Sequence, residues 1–441
     1  MKKTMLVSAA SVMLVWVLGA PQASAGTLTT PEPKPIPGTV ASLPPEVQGS
    51  IINQLAKLTA SDGLAGDYFG FAAAISGNTV VVGAPYASIG SNAHQGAAYV
   101  FVKPTTGWAN MTETAKLSAS DGAANSFFGT SVAISGNTIA IEAGNGGGIP
   151  VYVFVEPPSG WTSITESAKL TSPVNYAGGG ASPSVATDGN TVVLGVPWTS
   201  YQQQQFEGMV YVYAKPVGGW AGTRSPSARL VSSDGFEDIF FGTSVSVSGN
   251  TIVTCASAAP EFSSAAYLYV KPNSGWAGTL TETARLTPSN SDGIHSVTIA
   301  GNTVAAGAPG SIVGNNTARG AVYVFVKPAT GWVSMNETAK LTASDGAAQD
   351  GLGISVTLGT GGNEVAAGAY GHNSDTGAVY AFVKPSTGWT NMTQSAEFAA
   401  SDGAAGDWLG NSVGIAGSLI IAGAPEFNIS EPGAAYLFGL H

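Results

Sequence analysis

The sequence predicts an all-β fold, a seven-bladed β-propeller of four-stranded antiparallel blades with its last blade completed by residues 51–58. Three observations predict it. A unit recurs about every 57 residues, marked by Leu58, Leu117, Leu170, Leu230, Leu286, Leu341 and Phe398, with spacings of 59, 53, 60, 56, 55 and 57. Strands such as Val80-Val81-Val82 are apolar without alternation, as strands covered on both faces are. The two chain ends each supply only part of a unit. A period this long fits a propeller blade with its loops and is far too long for a solenoid coil.

Composition agrees. Charged residues make up 10% of the 441, against about 25% in an average domain. Hydrophobic residues reach 44%, which excludes a disordered chain. Gly 59 and Pro 25 call for many turns. The balance of 16 Lys+Arg against 27 Asp+Glu disfavours a nucleic-acid partner, which needs clustered cations. One cysteine excludes a disulfide framework, and four histidines leave little for metal or triad chemistry.

Residues 1–25 read as a secretory signal peptide. Lys2 and Lys3 precede an apolar run from Met5 to Leu18, and Ala23-Ser24-Ala25 offers a cleavage site after Ala25. The run is shorter than the ~20 residues that span a bilayer, so no membrane span is expected. The chain is therefore expected outside the cytoplasm, free, periplasmic or at the cell surface. Residues 26–50 carry six prolines and read as a linker. The propeller is expected to fill residues 51–441.

One unit illustrates the rest. Phe69 to Ile75 is the first strand, Gly77-Asn78 a two-residue hairpin, and Val80 to Pro85 the second strand. Ala97 to Val102 is the third, and Thr112 to Leu117, more polar and carrying Lys116, the outer one. The last unit stops after Ala435-Tyr436-Leu437-Phe438 without an outer strand, and Ile51 to Leu58 is an outer strand without a unit. Pairing these two closes the ring. Units two, three and five are irregular: Gly144 to Pro150 is a short Gly-rich link, Ala177-Gly178-Gly179-Gly180 replaces the opening pair, and His295 follows Asp292-Gly293 with that pair missing.

Phe69-Gly70 opening a unit and Gly83-Ala84-Pro85 closing its second strand resemble the FG-GAP repeat of integrin α-chain propellers and related secreted bacterial proteins. Phe128-Gly129 and Phe241-Gly242 keep the opening, and Gly307-Ala308-Pro309 and Gly423-Ala424-Pro425 keep the closing triplet. Leu352-Gly353 and Leu409-Gly410 are softened openings. The resemblance implies a role in adhesion or ligand binding. Relatives often hold calcium in an acidic loop between the first two strands, but two residues here cannot supply six to eight oxygens. No cofactor is expected. Calcium is left only as a cation shared by paired loop acids: Asp62 with Asp67, Asp345 with Asp350, Asp402 with Asp407.

A meandering blade sends the outer-to-first links and the second-to-third links to one face. That face is expected to gather 16 of the 27 acids against one base, Arg319. Lys103, Lys215, Lys271, Lys327 and Lys384 fall on the other, offset by Glu113, Glu166, Glu282 and Glu337. The recurring Ser-Asp-Gly acids read first as turn residues. The singular residues of the variable loops are the partner-binding candidates: Trp198, Tyr201, Glu207, Glu261, Arg319, Asp375, Glu426 and Glu431. Trp198 and Tyr201 beside four glutamines also fit sugar stacking, although a packed loop aromatic is the plainer reading. The six Gly-Trp tryptophans read as structural.

No catalytic constellation is identified. Cys255 replaces a motif glycine in a buried strand, and His94, His295 and His372 lie in separate loops. The expected function is a monomeric, non-catalytic binding scaffold for an extracellular protein. A lectin-like propeller and a carbohydrate-active hydrolase or lyase are the alternatives.

Overall fold

The computed structural model describes residues 54–144, 148–173, 184–200, 206–235, 239–257, 264–427 and 431–440. The leader, the linker, residues 51–53 of the closing strand, Tyr201, Glu237, Asp238, Glu261 and the stretch Ala177-Gly178-Gly179-Gly180 lie outside them. Among the described residues there are seven sheets, each a four-stranded antiparallel meander, and four carry a fifth strand. No helix among them is long and apolar enough to cross a membrane.

In blade one, Ala72–Ser76 pairs with Thr79–Ala84 across Gly77-Asn78, then Ala97–Val102 and Ala115–Leu117 follow outward. The second and third strands are buried almost throughout. The cause is blade-on-blade packing: seven apolar clusters each draw on two neighbouring blades. One holds Leu58, Val80, Val82, Tyr99 and Phe101 with Ile421 and Leu437. No cluster belongs to one blade alone, so a blade has no core without its neighbours.

The motif glycines allow this approach. A Cβ on Gly83 would lie 2.0 Å from the backbone oxygen of Gly129 in the next blade, closer than any side chain tolerates. Gly129 itself holds φ +96. Blades two and four break the rule. Glu142 takes the glycine position in one, and Cys255 takes it in the other, facing His295 where its partner glycine would be. The Cys255 thiol donates to the His295 carbonyl at 3.4 Å.

The ring closes as expected: Gln54–Thr59 pairs antiparallel with Ala434–Gly439. The outer strand departs from expectation. It spans only Ala115–Leu117, because Met111–Thr112 runs parallel to the outer strand of the preceding blade, Leu58 to Thr59. The same crossing joins Gly222–Arg224 to Ala168–Leu170, Gly278–Leu280 to Ala228–Leu230, and Met392–Thr393 to Ala339–Thr342. The chain steps between sheets at Glu113, whose carboxylate accepts the Ser61 N–H at 2.9 Å and the Ser61 hydroxyl at 2.6 Å. Glu166, Glu282 and Glu337 clamp Ser120, Ser233 and Ser289 alike. These glutamates therefore do not offset the lysines of the hairpin face. Serine donors compete for them, and the geometry favours the short bonds.

Candidate functional site

The links that lead into each blade and the variable second-to-third loops do share a face. The Tyr86 N–H donates to the Asp67 carbonyl, Asn125 to Ala93, Gly371 to Asp350 and Glu426 to Asp407. Asp67, Asp350 and Asp407 cap their own loops, accepting the N–H groups of Leu64, Ala347 and Ala404 at 2.8–2.9 Å. Burial pushes the Asp67 and Asp407 carboxyls up, and these hydrogen bonds only partly oppose it.

The Ser-Asp-Gly aspartates are engaged elsewhere. Lys116 from the outer strand of blade one meets Asp62 at 2.6 Å, Tyr99 donates its hydroxyl to the same carboxylate at 3.0 Å, and the ammonium lies 5.1 Å from that tyrosine's ring centre. Lys57 with Asp402 and Tyr436, Lys169 with Asp121 and Tyr152, Arg285 with Asp234 and Tyr267, and Lys340 with Asp292 and Tyr323 repeat the arrangement. At Asp62, burial raises the pKa, but the bonds from Lys116 and Tyr99 outweigh it and leave it low. Asp402 behaves the same way with Lys57 and Tyr436. The expectation of a strongly acidic face omitted these outer-strand cations. A lysine or arginine side chain reaches from the blade edge to the loop, and five of the acids already have a counter-charge.

Blade six differs. Its outer strand carries Glu397 where the others carry Lys or Arg, and His372 of the variable loop enters the space. The His372 Nδ1 lies 2.9 Å from Asp350 Oδ2, and Nε2 lies 3.7 Å from Glu397 Oε1. One ligand atom from each of Asp345, His372 and Glu397 falls within 4.8 Å of the others. Burial first, then the Asp345 carboxylate, pushes the Glu397 carboxyl well above its usual range.

The candidates from the variable loops are scattered, and some are not accessible. Glu207 is 3% exposed and Glu426 8%, so these two are corrected from partner contacts to buried groups. Burial, with Asp234 second, pushes Glu207 up to about 7. Glu426 instead accepts the Glu431 N–H at 3.0 Å. Arg319 turns inward, its guanidinium donating to the carbonyls of Ala343 and Ser344. Trp198 packs on Phe206 and Phe240 at ring-centre distances of 5.2 and 4.6 Å, which is the plainer reading of that residue. Asp375 and Glu431 are exposed.

Cys255 is fully buried, and burial pushes its thiol up to about 12, so it stays protonated at neutral pH. The repeated tryptophans cover strand ends: Trp220 and Trp389 donate to the carbonyls of Gly189 and Gly362 at 3.2 Å.

What the residues alone did not disclose is an aromatic arc. Tyr370 meets Trp408 at 4.7 Å, Trp408 meets Phe427 at 4.3 Å, and Phe427 meets Tyr68 at 4.9 Å. Tyr68 then meets Tyr86 at 4.9 Å, and Tyr86 meets Phe127 at 5.1 Å. All six are half-buried and together cross four consecutive blades on the loop face. Tyr68, Phe127 and Trp408 hold φ of +50 to +59 directly before the opening pair of a unit. Left-handed backbone is costly for bulky side chains, about 1–3 kcal/mol each. The signal in the sequence was an aromatic at one fixed place, before Phe69, Phe128, Phe241 and Leu409.

A search of curated proteins gives no match. Among solved structures the chain is similar to Chaetomium thermophilum Sqt1, at 15% identity and TM-score 0.47, covering 84% of this chain and 82% of that one. It is also similar to Kuenenia stuttgartiensis hydrazine synthase, at 11% identity and TM-score 0.49, covering 92% and 99%. The Dos1 propeller is similar at 12% identity and TM-score 0.44, covering 82% and 75%. The FG-GAP repeat family matches residues 52–101, 111–154, 225–269, 335–382 and 392–438. The stretches between these matches hold blades three and five, two of the irregular units, which still form complete sheets. With more than half its length matched and its motif glycines at the blade contacts, the chain belongs to the FG-GAP repeat family.

Proposed function

We propose that this propeller is an extracellular, non-catalytic binding scaffold whose protein partner docks on the loop face over the aromatic arc. The observation that carries it is the arc itself. Half-exposed Tyr, Trp and Phe in contact across four blades supply the kind of rigid anchors that dominate protein interfaces. Strained backbone at three of these positions adds support, since such strain persists where it serves a site. Asp375 and Glu431 flank the arc as exposed acids and favour a partner with some basic character. The leader-like start supports export, with a mature chain beginning at Gly26.

The test is capture from the producer's extracellular milieu with wild-type protein, Trp408→Ala and Tyr68→Ala, at low and high ionic strength. Capture is expected to fall sharply in both variants and to weaken only modestly with salt, because five of the six Ser-Asp-Gly aspartates are already paired. Undiminished capture by both variants would refute the arc as the docking surface. A sugar-binding reading has one specific observation in its favour, since stacked aromatics also serve pyranose rings; a glycan array separates the two.

A further inference from the structure

Blade six contains an exception to a charge rule that five other blades obey. In those five, a Lys or Arg of the outer strand neutralises the leading-loop aspartate beside a tyrosine. In blade six the tyrosine remains as Tyr380 and the aspartate as Asp345, but the base has become Glu397. Two carboxylates now face the space where an ammonium group sits elsewhere. Among the described residues neither Asp345 nor Glu397 forms an ion pair with a Lys or Arg.

The variable loop brings in an imidazole at this point. The His372 side chain is 10% exposed, and Asp350, whose side chain is 5% exposed, holds its Nδ1 at 2.9 Å. Tyr380 Oη lies 3.3 Å from the same nitrogen. The same Asp350 oxygen accepts the Ala347 N–H, so it is held from two sides. With Nδ1 occupied by Asp350 and Tyr380, Nε2 is the imidazole atom that faces Glu397 Oε1. The 3.7 Å between them exceeds a hydrogen bond, and among the described residues nothing donates to Nε2.

We infer that Asp345, His372 and Glu397 form a binding site for a divalent first-row metal ion of the zinc type, with Asp350 as the positioning residue for the imidazole. One imidazole and two carboxylates suit zinc, whereas calcium wants six to eight oxygens. A carboxylate bonded to the far nitrogen of a ligating histidine is the usual outer support of such sites. The charge also balances, because two carboxylates meet one dication. Zinc bonds of about 2.0–2.1 Å require ligand atoms closer together than the separations of up to 4.8 Å here, and the exposed Asp345 and half-buried Glu397 can swing in while His372 stays fixed. Asp345 leaves the solvent side open for a water as fourth ligand. This set differs from the Asp345–Asp350 pair considered for calcium: Asp350 supports and does not ligate.

The full chain, dialysed against chelator, is titrated calorimetrically with ZnCl2 and with CaCl2, and its melting temperature is followed in parallel. Wild-type protein is expected to take up one Zn2+ per chain with a rise in melting temperature, and to respond little to Ca2+. Glu397→Lys is the decisive variant, because it recreates the Lys–Asp pair of the other blades; it is expected to fold, to melt higher than metal-free wild type, and to take up no Zn2+. His372→Gln is expected to lose uptake as well, and Asp350→Asn to weaken it about 10- to 100-fold. Equal uptake by wild type and Glu397→Lys would mark an adventitious surface ion and overturn the inference. Absence of stoichiometric uptake by wild type, or Ca2+ binding that survives His372→Gln, would overturn it too.

Discussion

Single residues decide whether neighbouring blades can touch. Gly83→Ala drives a methyl group into the Gly129 carbonyl, which belongs to rigid backbone. It should cost about 3 kcal/mol in chemical denaturation, near the upper range for overpacking. The buried acids set a pH dependence whose sign is fixed. Burial pushes Glu207 up to about 7, and it also raises Glu142, wholly buried and with neither oxygen partnered among the described residues, well above the usual carboxylate range. A carboxyl raised on folding binds more protons in the native state, so the stability these two groups contribute is fully present below about 4.3 and is lost as pH climbs towards the folded value. Melting temperature should therefore drop between pH 5 and pH 8, and Glu207→Gln should flatten that slope; an unchanged slope would count against the assignment. Cys255 in a motif glycine position was legible in the sequence. Glu397 was not singled out there, because the repeat was followed through the position after it, a leucine in six units and Phe398 in this one.

The element that matters most is the outer strand, and it was read only in part. The sequence predicts a single run from Thr112 to Leu117, whereas the chain divides it between two sheets at Glu113. Alternation and β-propensity locate an extended segment but carry no information about which neighbour it pairs with. That choice is made by Glu113 and Ser61, 52 residues apart. Glu113→Ala removes two charge-assisted hydrogen bonds at an exposed site, and a loss of about 1 kcal/mol is expected by denaturant titration. The first three strands of a blade were legible in detail, since Gly-Asn hairpins and the Gly-Ala-Pro stop fix their register. The aromatic arc was not, because its members come from leading and variable loops whose proximity depends on how blades assemble.

At the scale of the whole molecule, the ring and its closure were legible from counting units and noticing which strand was missing. The distribution of charge was not, since it depends on side chains reaching from the blade edge onto the loops. Removing residues 51–58 takes away the outer strand of the last blade and the Lys57–Asp402 pair. The truncated protein should lose its single cooperative thermal transition and elute as aggregates in size-exclusion chromatography; a monomeric, cooperatively melting product would refute closure as the source of integrity.

The pairing of Lys57 with Asp402, 345 positions later, also sets an order of events. The segment made first has to wait for the segment made last. Until Ala434–Gly439 arrives, the early strand has no partner and the growing array carries bare edges at both ends. A message cut short anywhere upstream therefore does not yield a smaller working disc; it yields a fragment with bare strand edges that is prone to associate.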